Sequence, residues 1–182
     1  MNTIMKCLFG VRQTLARSNF VFSLSLVLAG LASGCSDFSA GMSGGRANDE
    51  MNKGNYDAAI ADYTKAIESD PTLPVPYLNR GLAKQAKGDV DGAIADDDKA
   101  IELNPNYAAA YHNRGLAKMD KHDYDGAIAD YTKAIELSPN FAVAYYNRGL
   151  AKQAKGDVVG AVADHNKAIA LAPALGNLPQ PH

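Results

Sequence analysis

Few side chains in this 182-residue sequence suit catalysis or metal binding. The candidates are four histidines, two cysteines and three consecutive aspartates: His112, His122, His165, His182, Cys7, Cys35, Asp96, Asp97 and Asp98. The histidines have no metal-ligand spacing relative to one another, and no glycine loop of the phosphate-binding type is present. Consecutive helix residues point in different directions, so the aspartates cannot jointly hold one calcium ion and should face solvent. We therefore expect no catalytic residue, no metal site and no cofactor.

The composition predicts a folded protein that does not bind nucleic acid. Hydrophobic residues make up 47% of the chain and charged residues 21%, and the net charge is only −2. The first 34 residues contain three basic residues, Lys6, Arg12 and Arg17, and no acid, so their removal leaves 15 basic and 20 acidic residues, a net charge of −5. A mildly acidic chain has no electrostatic basis for binding nucleic acid.

The beginning of the chain has the layout of a secretory signal. Residues 1–19 are basic, residues 20–32 are mostly apolar, and the small residues Ser33 and Gly34 precede Cys35. This order of basic, apolar and small residues is typical of a signal peptide. Spanning a bilayer takes roughly 20 apolar residues, so this shorter run favours a cleaved signal over a permanent membrane helix.

The five residues that end at Cys35, Leu-Ala-Ser-Gly-Cys, resemble a bacterial lipobox, although Ala32 stands where that motif usually has leucine. The resemblance implies cleavage after residue 34 and lipid attachment at Cys35. An ordinary signal peptide with an incidental cysteine is the alternative. Ser36 in place of an aspartate resembles outer-membrane sorting in enteric bacteria. We therefore expect a lipid-anchored protein of the bacterial envelope, in the outer membrane facing the periplasm, with residues 35–45 as a flexible tether.

The remainder of the chain repeats itself every 34 residues. The string Asn-Arg-Gly-Leu-Ala-Lys occurs three times, at 79–84, 113–118 and 147–152. Tyrosines, alanines and prolines recur at the same interval: Tyr77, Tyr111, Tyr145; Ala59, Ala93, Ala127, Ala161; Ala66, Ala100, Ala134, Ala168; Pro71, Pro105, Pro139 and Pro173. A fixed period of this length indicates stacked copies of one structural unit.

This order of aromatic, glycine, alanine and proline resembles the tetratricopeptide (TPR) repeat. The resemblance implies an all-α fold, a right-handed α-solenoid of about three and a half to four helical hairpins. The array would cover residues 46–173, with units at about 40–73, 74–107, 108–141 and 142–175 and a tail at 174–182. Gly44 and Gly45 weaken the opening helix, so we expect only about two turns before Gly54.

Each unit carries its own signals for helix ends. A first helix should run from about 76 to 86, Gly88 suits a left-handed helix end, and Asp89 should cap the second helix. His122 replaces the glycine in the third unit, so strain is expected there. On the second helices, aspartate and lysine recur three residues apart, and we expect these to be exposed pairs: Asp96 with Lys99, Asp130 with Lys133, and Asp164 with Lys167.

The TPR resemblance also implies a concave groove that binds an extended or helical peptide and is lined by the first helices. Matched position by position, it would display Leu78, Asn79, Leu82, His112, Asn113, Leu116, Met119, Tyr146, Asn147, Leu150 and Gln153. Amides can pair with a peptide backbone, and the apolar residues add contact area. Some TPR proteins clamp a terminal carboxylate with asparagines and cations. Here Asn48 and Asn79 match the asparagines, but Gly44, Ala109 and Asn113 replace the cations, so we expect no such clamp.

Four residues, at three positions of the 34-residue unit, depart from the repeat. Asp97 and His165 take the position that is tyrosine in the other units, and we expect Asp97 to reach water or to pair with Arg114. In the last unit Val159 and Ala170 replace acidic residues. Terminal repeats usually turn a polar face outward. We therefore expect the last helix to pack on the tail, on a partner or on a second copy, as a homodimer.

Two functions follow from these observations. The first is a non-catalytic adaptor that binds other proteins or peptides in its groove, at a membrane and without nucleic acid. The second is a structural subunit or assembly factor of a membrane complex, held through its terminal helix.

Overall fold

The computed structural model describes residues 42–177, with the side chains of 46–176, and all of these lie in the unit Asp37–His182. The predicted signal peptide, residues 35–41 of the predicted tether and residues 178–182 of the tail lie outside the described residues, and the predictions made for them stay predictions.

The described residues form four helical hairpins and a short 3₁₀-helix. The α-helices are α1 Met42–Asn52, α2 Tyr56–Ser69, α3 Pro74–Ala86, α4 Val90–Leu103, α5 Ala108–Asp120, α6 Tyr124–Leu137, α7 Ala142–Ala154 and α8 Val158–Leu171, followed by the 3₁₀-helix Pro173–Asn177. Odd-numbered helices are the first helices of the hairpins, and even-numbered helices are the second. Helix α1 has 11 residues, or about three turns, against the two expected, and it starts inside the predicted tether.

The turns within hairpins two to four follow the sequence signals closely, whereas Asn55 of the first hairpin makes no side-chain cap hydrogen bond. The side chains of Asp89, Asp123 and Asp157 each accept a hydrogen bond from the backbone N–H three residues later, at 2.9 to 3.0 Å. Gly88 has φ +89°, a conformation that needs no Cβ. His122 adopts φ +59° at the equivalent position, so the strain expected there is confirmed.

Small residues let the two helices of a hairpin approach closely. Ala127 is fully buried, and a Cβ built on Gly115 would lie 2.8 Å from the ring of Tyr131. Tyr131 packs in turn against Leu116 and, from the next hairpin, Ala151. Each hairpin therefore buries its apolar face partly within itself and partly against its neighbour, as a stacked array requires.

Asp96, Asp130 and Asp164, which were predicted to form exposed pairs on the second helices, are buried, so that prediction is wrong. Three arginine–aspartate–lysine triads join the two helices of hairpins two to four: Arg80, Asp96 and Lys84; Arg114, Asp130 and Lys118; and Arg148, Asp164 and Lys152. Asp96, for example, is 4% exposed and contacts Arg80 at 2.7 Å and Lys84 at 2.8 Å. Lys99 and Lys133 pair instead with Glu102 and Glu136.

Asp97 is also buried, and Arg114, its predicted partner, forms its ion pairs with other aspartates. Its side chain is 1% exposed, and Oδ1 has no hydrogen-bond partner among the described residues. The Arg114 guanidinium instead contacts Asp98 and Asp130, each at 2.6 Å. Burial, followed by the neighbouring Asp96 charge, raises the pKa of Asp97 well above its ordinary value. Of the three consecutive aspartates only Asp98 faces solvent.

Candidate protein-binding surface

The first helices form the inner layer of the array. Contacts join α3 to α5 and α5 to α7, in addition to those between consecutive helices. Because first helices touch across neighbouring hairpins, the array curves with them on the inner side. This is the face on which the sequence places the groove.

The structure divides the predicted groove residues into a buried group and an accessible group. Six are buried: Leu78, His112, Asn113, Leu116, Tyr146 and Asn147. Five are partly exposed: Asn79, Leu82, Met119, Leu150 and Gln153. The accessible group, together with the neighbouring Val75 and Gln85, is called the inner face below. The buried six support this face from beneath, so they are poor positions for testing ligand binding.

His112 is the centre of the buried group. Its Nε2 lies 2.9 Å from the Asn147 amide nitrogen, and its Nδ1 lies 3.4 Å from the Asn113 amide oxygen. Both contacts fit a neutral ring that accepts at Nε2 and donates from Nδ1. Burial lowers the pKa of His112 to about 4. The ring also contacts Tyr131 and Phe141, with centroids 5.6 and 5.0 Å apart, so His112 is a core residue of the third hairpin.

Gln85 is an inner-face residue that the sequence reasoning omitted. Its amide donates to the Asp120 carboxylate at 2.6 Å, joining α3 to α5 on the inner side. Gln85 is in phase with Met119 and Gln153, so the 34-residue period was sufficient to find it. Val75, 47% exposed near the start of α3, was also omitted.

The cations of the first helices are directed away from a ligand. In hairpins two to four, the arginines and the first-helix lysines contact aspartates of the second helices, as the triads show. The Arg80, Arg114 and Arg148 guanidiniums also lie 5.5 to 5.7 Å from the centroids of tyrosine rings one turn earlier. The inner face therefore offers apolar and amide groups rather than free positive charge.

A second surface lies at the far end of the array. Val158, Val159 and Val162, at the start of α8, are 61%, 84% and 52% exposed, and we call them the valine patch. Ala170 is exposed on the same helix. Val158 and Val162 were missed by the sequence reasoning, although they are in phase with Tyr124 and Ile128, which are partly buried in the preceding hairpin.

The described residues contain no group of histidine, cysteine or acidic side chains that could hold a metal ion. Within residues 42–177, every helix is too short or too polar to cross a membrane.

Comparison with known proteins identifies the fold family. The family profile described as "TPR repeat" matches residues 47–88, 85–122 and 117–156, more than half of the chain. The chain belongs to the TPR repeat family. The all-α repeat fold that the TPR resemblance implies is thereby confirmed, and TPR repeat proteins are generally protein-interaction modules.

Solved TPR structures resemble this TPR protein over most of its length. The crystal structure of MamA is 30% identical with a TM-score of 0.67, covering 74% of this chain and 78% of MamA. The first TPR of Spaghetti (RPAP3), bound to the HSP90 peptide SRMEEVD, is 32% identical with a TM-score of 0.61, covering 63% and 90%. The Arabidopsis OM64 TPR domain, at 24% identity and a TM-score of 0.59 over 61% and 92%, is similar in fold. A search of curated proteins finds no match.

Proposed function

We propose that this TPR protein is a non-catalytic adaptor that binds a peptide segment of another protein on its inner face. The observation that carries the proposal is the inner face itself, where Leu82, Met119 and Leu150 alternate with amides at partly exposed positions. Apolar side chains supply contact area, and amides pair with a peptide backbone without demanding one sequence.

The comparison with RPAP3 supports peptide binding by this chain, but it does not support binding of the peptide that RPAP3 binds. That TPR is bound to an acidic peptide, SRMEEVD. Here the arginines and lysines on the first helices of hairpins two to four are paired with buried aspartates, so these cations do not supply charge-assisted hydrogen bonds to an acidic tail on the inner face. We infer that the ligand is a segment with apolar side chains and little negative charge.

We further propose that a lipid on Cys35 holds the array in the bacterial envelope, in the outer membrane and facing the periplasm. The support is the sequence alone: a basic and then apolar leader, followed by the lipobox-like residues that end at Cys35. Acyl chains bind lipid with about 0.8 kcal/mol per buried methylene, and two or more chains give stable anchoring.

The test is crosslinking and co-purification of the full chain from membranes of its native host. Leu82→Glu places a charge on the inner face at a partly exposed position, and we expect it to remove the captured partner. Ala95→Glu, on the exposed side of the second helix of the same hairpin, is the matched control and should retain it. Cys35→Ser should release the chain from the membrane. Equal capture by both glutamate variants would contradict binding on the inner face.

The valine patch favours a second candidate, a subunit held in a complex or a homodimer through the terminal helix. Its signature in the same experiment is a partner that survives Leu82→Glu and is lost on Val159→Asp.

A further inference from the structure

Neighbouring hairpins are joined by a ladder of lysine–aspartate pairs that stops at α8. Lys87 contacts Asp57, Lys121 contacts Asp91 at 2.6 Å, and Lys155 contacts Asp125. In each pair, the lysine of one hairpin reaches the first turn of the preceding second helix. The next residue in phase with these aspartates is Val159. A further TPR hairpin stacked on α8 would therefore find no acceptor for its lysine.

The tail covers only part of the exposed end. Leu175, in the 3₁₀-helix, is 7% exposed and packs with Tyr146 and Ala168. Gly176 also packs near Ile169, since a Cβ placed on this glycine would lie 3.6 Å from the Ile169 side chain. These contacts lie at the C-terminal half of α8, whereas the valine patch is at the N-terminal half. The described part of the tail thus replaces a following repeat at one half of the helix and leaves the other half bare.

We propose that the valine patch is the centre of an isologous homodimer, in which the start of α8 packs against the same segment of a second copy. This makes the second candidate of the preceding section specific, and it does not depend on peptide binding by the inner face.

The charged residues at the opposite end of the array favour this two-fold arrangement over a head-to-tail stack of copies. At the opposite end of the array, Arg46 and Lys53 have side chains that are 72% and 61% exposed. A head-to-tail contact would set this charged end, with its Arg46–Asp62 and Lys53–Glu50 pairs, against valines that offer no hydrogen bond, and would take those charges out of water. Two valine patches related by a two-fold axis bury no charge, and the same residues serve both sides.

The size of the contact requires more of α8 than three side chains. A stable interface covers about 800 Å² on each partner. Helix α8 has 14 residues and is therefore about 21 Å long. Ala163, Asn166 and Ala170 are exposed along it, and the two alanines are small enough to let two helices approach, while Lys167 is exposed beside them. The interface should consequently extend along α8 from the valine patch toward Ala170.

Sedimentation equilibrium of the purified full chain in density-matched detergent tests the proposal. We expect a dimer for the unmodified chain, and a dimer dissociation constant at least about 30-fold higher for Val159→Asp, because two like charges would face each other across the axis. The variant restores the residue type of Asp57, Asp91 and Asp125, which the fold tolerates at this position. Val75→Asp, an equal change at an exposed valine of α3, is the control and should leave the dimer intact. A monomeric parent chain, or a dimer that Val159→Asp does not weaken, overturns the proposal.

Thiol crosslinking identifies what occupies the valine patch. This test remains valid even if Val159→Asp fails to fold. With Val159→Cys in the full chain, a short bismaleimide should give a product of twice the chain mass, absent from the parent chain and from Val75→Cys. A product with a different protein, or no product, overturns the proposal. Deletion of residues 178–182 should leave the dimer unchanged, and a dimer that forms only after this deletion would show that the tail is the occupant instead. Retained capture of the peptide partner by Val159→Asp would separate failure here from failure of the inner-face proposal.

Discussion

At the scale of single residues, Asp97 places a carboxyl group where Tyr131 sits in the next hairpin. It is 1% exposed, its Oδ1 has no hydrogen-bond partner in the part of the chain that the structure describes, and burial raises its pKa. A carboxyl whose folded-state pKa is raised contributes stability that is present below its unfolded pKa near 4 and lost as the pH rises through the folded value. The cost therefore grows as the pH rises above about 4.

We expect Asp97→Asn to raise the free energy of unfolding by about 1–2 kcal/mol at pH 7.5 and to change it little at pH 4. Urea denaturation followed by the helical circular dichroism signal measures both values. Asp98→Asn is the matched control, since Asp98 is exposed and bound to Arg114. An equal gain at both pH values would mean that the substitution acts through packing rather than charge.

His112 imposes the opposite pH dependence. Burial lowers its pKa to about 4, from an ordinary value of about 6.5. Because the folded-state pKa is lower than the unfolded-state pKa, the free energy of unfolding is highest above pH 6.5. It falls by about 3 kcal/mol in total as the pH drops from 6.5 toward 4. We expect His112→Gln to flatten the dependence of unfolding free energy on pH between 6.5 and 4. His122→Asn should not, because His122 lies exposed in a turn, and a matching slope in both variants would contradict the assignment.

At the scale of elements, two kinds of ion pair hold the helices, and burial separates their energies. Within the third hairpin, Arg114 and Asp130 have side chains that are 20% and 5% exposed. Between hairpins, Lys121 and Asp91 are 48% and 82% exposed. Removing one partner of a buried pair strands a charge and costs about 3–5 kcal/mol, whereas an exposed pair contributes about 0–1 kcal/mol.

We therefore expect Arg114→Met to lower the free energy of unfolding by about 3 kcal/mol and Lys121→Met by less than about 1 kcal/mol. Both substitutions remove one positive charge and keep a long side chain. Parallel urea titrations of the two variants make the comparison. Losses of similar size would show that Asp130 is still compensated once Arg114 is gone, by the remaining triad cation Lys118 or by water.

The helices could be predicted from the sequence because their signals are local. Gly88, Asp89 and Pro105 mark helix ends by their own backbone chemistry, and the period repeats those marks. The aspartate triads could not be read in this way. Asp96 meets Arg80 and Lys84 only after the hairpin folds, whereas Lys99 is three residues away on the same helix. The available signal was that arginine, lysine and aspartate recur together every 34 residues.

The same limit applies to the inner face. Helical periodicity places Leu78 and Leu82 on one side of α3, but that side meets both its own hairpin and the next first helix. Which residues remain exposed depends on how closely the hairpins stack, and this is a tertiary property. Helical periodicity therefore does not predict that His112 and Leu116 are buried.

At the scale of the whole array, the two ends differ in how well they are covered. Asp62, in the first hairpin, meets the exposed side chains of Arg46 and Lys65, and Glu50 stands where the later hairpins have the triad lysine. The last hairpin retains its triad and gains the 3₁₀-helix. Since a solenoid is stabilised by each hairpin and its neighbours, the N-terminal hairpin should open most readily.

Hydrogen exchange measured by mass spectrometry should show this order directly. We expect the fastest exchange in α1, intermediate exchange in α8, and the slowest in α3 to α6, which belong to the two hairpins with a neighbour on either side. If two copies meet through the valine patch, protection of α8 should also rise with protein concentration in the parent chain and stay constant in Val159→Asp. Uniform protection from α1 to α8 would instead mean that the array unfolds as one cooperative unit, so that the weak first hairpin is held by its neighbours rather than opening alone.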